Sequence, residues 1–393
     1  MSLNETASGE RVHISFFGLR NAGKSSLVNA VTGQSLAVVS DVKGTTTDPV
    51  RKAMELLPIG AVVIIDTPGI DDEGELGELR VNKAKGVLAK TDVAVLVVDS
   101  VKGLQSQDSL LISEFKKRNI PYIIAFNKCE LLSEEKALKE NEIYVSALKG
   151  VNIQELKELI GKITAGLGEK RCIVSDLLEK GSVVVLVVPI DESAPKGRLI
   201  LPQQMTIRDV IESGNTALVC KDTELERTLD SLKDKPDLVI TDSQVFSKVA
   251  KILPDDVPLT SFSILMARYK GELDTLVEGA ECLRKIKGGA SILISEGCTH
   301  HRQCNDIGTV KLPQWIRDYT KADVRLTFTS GGDFPENLKE FDLIVHCGGC
   351  MLNEREMKHR IALSREQGVP MVNYGVAIAL MHGILDRSLE IFK

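Results

Sequence analysis

Short apolar runs alternate with amphipathic stretches along the first part of the chain. Val12 to Phe17, Ala61 to Asp66, Asp92 to Val98, Pro121 to Asn127 and Ile143 to Ser146 have strand length, whereas Lys24 to Thr32 has helical spacing. Strands apolar on both faces and separated by helices fold as right-handed βαβ units on a mostly parallel sheet. A seam is expected at Thr164 to Lys170, where Gly166 and Gly168 interrupt the pattern. Beyond it come the β-branched run Val183 to Val188, apolar segments at Ile207 to Ser213, Ala217 to Cys220 and Leu238 to Thr241, and a helix near Gln244 to Ile252 that stops before Pro254 and Pro258. A third block begins near Thr260. Its strands are Ser291 to Ser295, Arg325 to Thr329, Asp342 to His346 and Met371 to Tyr374, with an amphipathic helix over Asn353 to Gln367. The expected fold class is α/β throughout, in domains 1–168, 169–260 and 261–393, the last doubly wound.

A chain of 393 residues is too long for one core, in agreement with several domains. At 43% hydrophobic and 26% charged it reads as globular material rather than a disordered or collagen-like chain. The formal net charge of −6 argues against a broad cationic surface, so no nucleic-acid partner is expected. The apolar runs fall well short of the roughly 20 residues a membrane-spanning helix needs, so no membrane association is expected either. Met1 to Arg11 lacks the basic start and apolar stretch of a secretory signal, which predicts a cytoplasmic protein with reduced thiols. Its eight cysteines are then packing residues, metal ligands or redox thiols, not a disulfide framework.

Gly18-Leu19-Arg20-Asn21-Ala22-Gly23-Lys24-Ser25 follows the first strand and opens a helix, which is where a phosphate-binding loop belongs. Its glycines let backbone N–H groups point at phosphates, Lys24 supplies a point charge and the Ser25 hydroxyl can bind magnesium; Ser26 continues the nucleotide-facing turn. Downstream, Gly44-Thr45-Thr46-Thr47-Asp48 is a candidate first switch in which Thr46 completes the magnesium shell. In Asp66-Thr67-Pro68-Gly69, Asp66 can hold magnesium through water while the Gly69 N–H senses the γ-phosphate. Lys24, Thr46 and Gly69 are the candidate catalytic groups. Asn127-Lys128-Cys129-Glu130 and Ser146-Ala147-Leu148-Lys149 each follow a strand and are candidate base-reading loops.

This order of motifs resembles the translation-factor-related GTPases, and among them the group containing Era and the tRNA-modification GTPase MnmE. The resemblance implies GTP as ligand, with Glu130 accepting the guanine N1–H and amine, Lys128 along the ring and the Ala147 N–H at O6. Glu130 departs from the usual Asp by one methylene, so weaker guanine discrimination is expected. Asn21 stands where some members help bind potassium, and Ile70 stands where Ras-like enzymes carry a water-orienting Gln. Slow, potassium-stimulated hydrolysis follows as an expectation.

Cys298-Thr299-His300 and His346-Cys347-Gly348-Gly349-Cys350 each follow a strand of the third block, at the strand ends where open α/β sheets bind ligands. The two glycines allow a tight turn in which both Cys347 and Cys350 face one centre. Three converging thiols with histidine nearby suit an iron–sulfur cluster, structural zinc or a redox pair, and softness alone does not choose among them.

The combination of these two Cys/His groups with an upstream GTPase block resembles the maturation GTPases of FeFe-hydrogenases. The resemblance implies a GTPase domain, a central α/β dimerisation domain and a C-terminal cluster-binding domain. It implies a 4Fe-4S cluster on Cys298, Cys347 and Cys350, with His300 or His346 as a labile fourth ligand. It also implies a homodimeric scaffold or carrier of a diiron precursor, with apo FeFe-hydrogenase and radical-SAM maturases as partners. An Era-like RNA-associated GTPase with a zinc-stabilised C-terminal domain and a redox-sensing GTPase switch are the alternative readings. Cys129, Cys172, Cys220 and Cys282 lack paired spacing and read as packing residues. His13, His359 and His382 read as structural, and Cys304 is an extra thiol near Cys298.

Overall fold

The computed structural model describes residues 8–34, 50–68, 86–134, 137–166, 171–190, 199–298 and 306–393. The expectations for Thr46, Gly69, Ile70, His300 and Cys304 lie outside these residues. The chain divides into two compact units, Thr6–Glu169 and a second dominated by Lys170–Lys393.

In the first unit the order is β1 (Val12–Phe17), α1 (Lys24–Thr32), β2 (Val50–Leu56), β3 (Gly60–Asp66), β4 (Val93–Asp99), α2 (Ser106–Lys117), β5 (Tyr122–Asn127), β6 (Glu142–Val145) and α3 (Ile153–Ala165). The six strands lie in the order β2-β3-β1-β4-β5-β6. All pairings are parallel except β2 with β3, which is antiparallel at the edge. The sequence pattern gave no strand at β2, because its mostly exposed, charged residues have no buried side to signal one. Apolar residues cover both sheet faces, with Phe16 and Leu27 on one and Phe17 and Phe115 on the other. Each such fully buried side chain contributes about 1.5–3 kcal/mol.

The second unit holds two four-stranded parallel sheets. The first has β7 (Val183–Val187), α4 (Leu201–Glu212), β8 (Thr216–Cys220), α5 (Leu225–Asp230), β9 (Leu238–Thr241), α6 (Phe246–Ile252) and β10 (Leu259–Ser261). After α7 (Phe262–Lys270) and α8 (Leu273–Leu283) the second has β11 (Ser291–Glu296), α9 (Leu312–Thr320), β12 (Arg325–Ser330), β13 (Leu343–His346), α10 (Glu354–Glu366) and β14 (Met371–Asn373), followed by α11 (Tyr374–Met381) and α12 (Leu385–Leu389). The segment Ile207 to Ser213 forms the end of helix α4 and its cap.

Strand orders β10-β9-β7-β8 and β12-β11-β13-β14 describe one topology used twice, with the central pair in each sheet marking the point where the winding reverses. The two sheets share one core. Val185, Val239 and Phe246 pack in the same cluster as Ile292, Val345 and Val376. Helix α7 is buried on nearly all sides, with Phe262, Ile264, Leu265, Met266 and Lys270 enclosed.

Candidate functional site

The phosphate loop leaves β1 at the reversal point of the first sheet, between β3 and β4. A Cβ on Gly18, at φ +151°, would stand 2.3 Å from the Val97 carbonyl oxygen. One on Gly23, at φ +82°, would stand 2.2 Å from Asn127 Nδ2, so both positions exclude side chains. Gly23 caps α1 with no side-chain hydrogen bond, which leaves the first-turn N–H groups of Lys24, Ser25 and Ser26 available to an anion.

Lys24 and Asp66 are both buried, with Lys24 Nζ 3.5 Å from Asp66 Oδ1. The Ser25 hydroxyl donates to Asp66 Oδ2 at 2.9 Å. Asp66 Oδ1 is itself buried and accepts no hydrogen bond among the described residues. A hydroxyl and a partly unsatisfied carboxylate at the mouth of a phosphate loop suit a hard divalent cation such as magnesium, and the lysine beside them suits phosphate oxygens.

Asn127 ties three loops together. Its Nδ2 donates to the Ala22 carbonyl at 3.0 Å and its Oδ1 accepts the Ala147 N–H at 3.0 Å. Lys128, at φ +67°, turns the chain so that its Nζ donates to the Asn21 carbonyl and to Asp99 Oδ2, both at 2.6 Å. Burial alone would raise the Asp99 carboxyl, but the Lys128 hydrogen bond and charge hold it below its ordinary value. Asp99 was absent from the sequence reading. Its signal was register: it ends β4 directly opposite Asn127 on β5. Glu130 is exposed on the turn Cys129–Leu131. Ser146 is buried and its hydroxyl accepts the Lys149 N–H at 3.0 Å, while Leu148 is exposed. Asn21 adopts the left-handed conformation at φ +63°.

The thiols lie at the reversal point of the last sheet, where β11 and β13 are neighbours. Cys347 N–H bonds back to the Ser295 carbonyl at 2.9 Å, and the Gly297 N–H donates to Cys347 Sγ at 3.0 Å. The loop carrying Cys298 therefore touches the loop carrying Cys347 and Cys350. Gly349, at φ +63°, turns the second loop, and its N–H also reaches Cys347 Sγ at 3.4 Å. A Cβ on Gly297 would lie 2.8 Å from Leu352, so this close approach needs glycine.

Burial pushes the Cys347 thiol up to about 11, against the opposing pull of the Gly297 N–H. Burial raises Cys298 further, and the nearby Cys347 and Cys350 thiols add to the rise. Cys298 and Cys347 could ionise together only beside a cationic centre that compensates them. Tyr374 is 5% exposed and its hydroxyl has no hydrogen-bond partner among the described residues. That hydroxyl and the Glu296 carboxylate converge on Gly308, 2.8 and 2.2 Å from where its Cβ would stand. An unsatisfied donor beside thiols fits a bound sulfur-rich group that can accept its hydrogen bond. Among the described residues, no three His, Cys, Asp or Glu side chains stand together as ligands of a single metal ion.

His346 departs from its expected role. It is fully buried, its Nδ1 lies 2.7 Å from the Cys347 carbonyl, and its Nε2 lies 3.0 Å from Arg360 NH1. Arginine only donates, so Nε2 accepts and the proton sits on Nδ1. Burial and then the Arg360 charge push the imidazole down to about 3, which keeps it neutral. Neither ring nitrogen can bind iron without breaking one of these bonds. Arg360 also pairs with Glu356 at 2.8 Å and lies over the Phe334 ring.

Cys129, Cys172, Cys220 and Cys282 form no disulfide, and Cys220 is buried. His13 sits in β1 with Nδ1 2.9 Å from the Arg11 carbonyl, and His382 meets Trp315 edge-on. A hollow lined by Cys282, Lys285, Asp342 and Pro370 lies at the opposite ends of β11 and β13 from the thiols. No helix among the described residues is long and apolar enough to cross a membrane.

Comparison with known proteins agrees with this division of the chain. A family model described as a 50S ribosome-binding GTPase matches residues 13–128. The N-terminal part is 32% identical over 162 residues to the tRNA modification GTPase MnmE of Nitrosomonas europaea, covering 40% of this chain and 35% of that protein. It is 30% identical over 187 residues to GTPase Der of Mycoplasmopsis pulmonis, covering 42% and 43%. The chain thus spans less than half the length of these curated relatives. The crystal structure of Era from Aquifex aeolicus bound to GDP and AlF4- is 19% identical, with a TM-score of 0.36, over 53% of this chain and 92% of that one. Models of the hydrogen maturase F dimerization domain and the hydrogen maturase F tetramerization domain match residues 173–271 and 274–391. These two adjoining models of one family account for more than half of the 393 residues, and the chain belongs to the hydrogen maturase F family, with a GTPase domain in its N-terminal part.

Proposed function

We propose that this chain is a GTP-hydrolysing scaffold that holds a 4Fe-4S cluster on Cys298, Cys347 and Cys350 and carries a diiron precursor to apo FeFe-hydrogenase. The observation that carries the reading is the Gly297 N–H bond to Cys347 Sγ, which joins the two cysteine loops at one strand end. In this reading residues 1–168 are the nucleotide switch, 169–260 build a homodimer and 261–393 hold the cluster. The bound cluster supplies iron with an exchangeable position. The protein supplies three thiolates, the Tyr374 hydroxyl and a glycine-lined turn. His300, rather than His346, remains the histidine candidate for the open position, since both His346 nitrogens are engaged.

In the GTPase domain, Ser25 and Asp66 would hold magnesium, which neutralises charge on the β- and γ-phosphates. Lys24 and the α1 N–H groups bind the same oxygens, and Thr46 and Gly69 report the γ-phosphate. Asn127, Lys128 and Ala147 form the base side, with Glu130 reading guanine. Hydrolysis is slow and stimulated by potassium near Asn21; equal rates in potassium and sodium would remove that part. The carrier role is tested by incubating the loaded chain with apo-hydrogenase and following hydrogen evolution. The reading predicts activation by the wild type and none by Cys347→Ala. Activation by both would overturn it, as would activation by neither when the wild type is fully loaded.

A further inference from the structure

Helix α7 lies immediately before the boundary between the two maturase-family segments, and its last residue, Lys270, is 1% exposed. Its ammonium donates to the Cys350 carbonyl at 3.0 Å and to the Leu352 carbonyl at 2.7 Å. The same face of α7 reaches the loop at two further points. A Cβ on Gly348 would stand 3.6 Å from Met266 Cβ and 3.8 Å from Ser263 Oγ. Ser263, Met266 and Lys270, at helical spacing along one face, therefore back the turn between Cys347 and Cys350. Ser263 Oγ also takes the Gly375 N–H at 3.1 Å and lies 3.0 Å from Asn373 Oδ1, and Asn373 caps the helix that begins with Tyr374. At its other end α7 is capped by Ser261, the last residue of β10 in the first of the two sheets. One helix thus runs from the sheet of the dimerization segment to the cysteine turn.

We infer that Lys270 is a positioning residue for the metal-binding turn: its buried cation clamps the Cys350 and Leu352 carbonyls and places a positive charge beside the anionic cluster. A buried ammonium is costly unless its donors are satisfied, and the Cys350 and Leu352 carbonyls take two of its hydrogen bonds at the turn that carries the thiols. A thiolate-held cluster gains negative charge on reduction, so a fixed cation nearby favours the reduced state. The clamp also sets the loop before any metal arrives. The inference rests on the cluster reading for its redox part and stands on the protein alone for its loop part.

The test uses the full chain with Lys270→Met, Lys270→Gln and Lys270→Arg. Hydrogen exchange of the metal-free protein reads the clamp. Lys270→Met should raise exchange at residues 347–352 by about tenfold or more, the loss of two hydrogen bonds to a charged donor, while the GTPase unit exchanges as before. After anaerobic loading with iron and sulfide, Lys270→Met and Lys270→Gln should show a more negative reduction potential than wild type, and Lys270→Arg should restore it. Unchanged exchange in Lys270→Met overturns the clamp. An unchanged potential in a fully loaded Lys270→Gln protein overturns the electrostatic role, because a merely structural defect would not be restored by arginine. A wild type that takes up no cluster defeats the cluster reading instead, and leaves the exchange experiment to decide on the clamp.

Discussion

Replacing Asn127 by alanine tests whether one amide preorganises the nucleotide site. The side chain is 2% exposed and spans from Ala22 in the phosphate loop to Ala147 in the base loop through two bonds of 3.0 Å. Alanine removes both and strands the Ala147 N–H and the Ala22 carbonyl. Two hydrogen bonds at about 1 kcal/mol net each give about 2 kcal/mol of lost loop order. If all of it appears in nucleotide binding, the Kd for GDP rises about thirtyfold. Direct contact between Asn127 and nucleotide would add to this. The melting temperature of a unit of this size should fall by about 4–8 °C. A fluorescent GDP analogue, titrated with magnesium present, measures the first quantity and thermal unfolding the second. A Kd within threefold of wild type with an unchanged melting temperature would refute the reasoning. A lowered melting temperature with unchanged Kd would show that the amide supports the fold and not the site.

Three further outcomes follow from the same geometry. Asp66→Asn keeps the shape but removes the charge facing Lys24 and Ser25, so phosphate release should drop by about a hundredfold or more at low magnesium and recover in part at high magnesium; wild-type rates across the magnesium range would contradict this. Tyr374→Phe removes an unsatisfied buried hydroxyl, so the metal-free protein should be as stable as wild type or more stable, whereas the loaded cluster should be lost faster to an iron chelator; a destabilised metal-free variant would show that the hydroxyl has a protein partner. Burial raises the Asp108 carboxyl above its ordinary value of 3.8, so the folded state holds its proton more tightly than the unfolded chain. Its unfavourable contribution grows as pH rises from the ordinary value through the raised one and is fully present at neutral pH. Asp108→Asn, which can still accept the Gln105 N–H, should therefore raise the melting temperature at pH 7 more than at pH 4.

Most strands were legible because they are buried on both faces and bounded by turn residues, as at Val93–Asp99 and Ser291–Glu296. The phosphate loop was legible because its glycines and lysine have fixed spacing around a strand and a helix. Edge strand β2 and the three-residue β10 were not, since neither has a long buried run. Helix α7 is buried nearly all round and offers no polar stripe to set its period. The shared core and the repeated strand order arise from pairings between distant segments, which local pattern does not contain. In the site, the cysteines announced themselves by spacing. Asp99, Tyr374 and Lys270 are single residues ending or opening apolar segments, and only register or packing brings them to their partners. His346 looked available by its neighbours in sequence, yet Arg360, in the middle of the helix that follows, occupies its second nitrogen.

The account depends on Cys298, Cys347 and Cys350 sharing one inorganic centre. Its most direct test is EPR of the dithionite-reduced, anaerobically reconstituted full chain, alongside Cys298→Ala, Cys347→Ala and Cys350→Ala. The account predicts a reduced 4Fe-4S signal in the wild type that is lost in each of the three variants. A full signal retained without any one of these thiols, or a wild type that binds zinc tightly and forms no cluster, would contradict it.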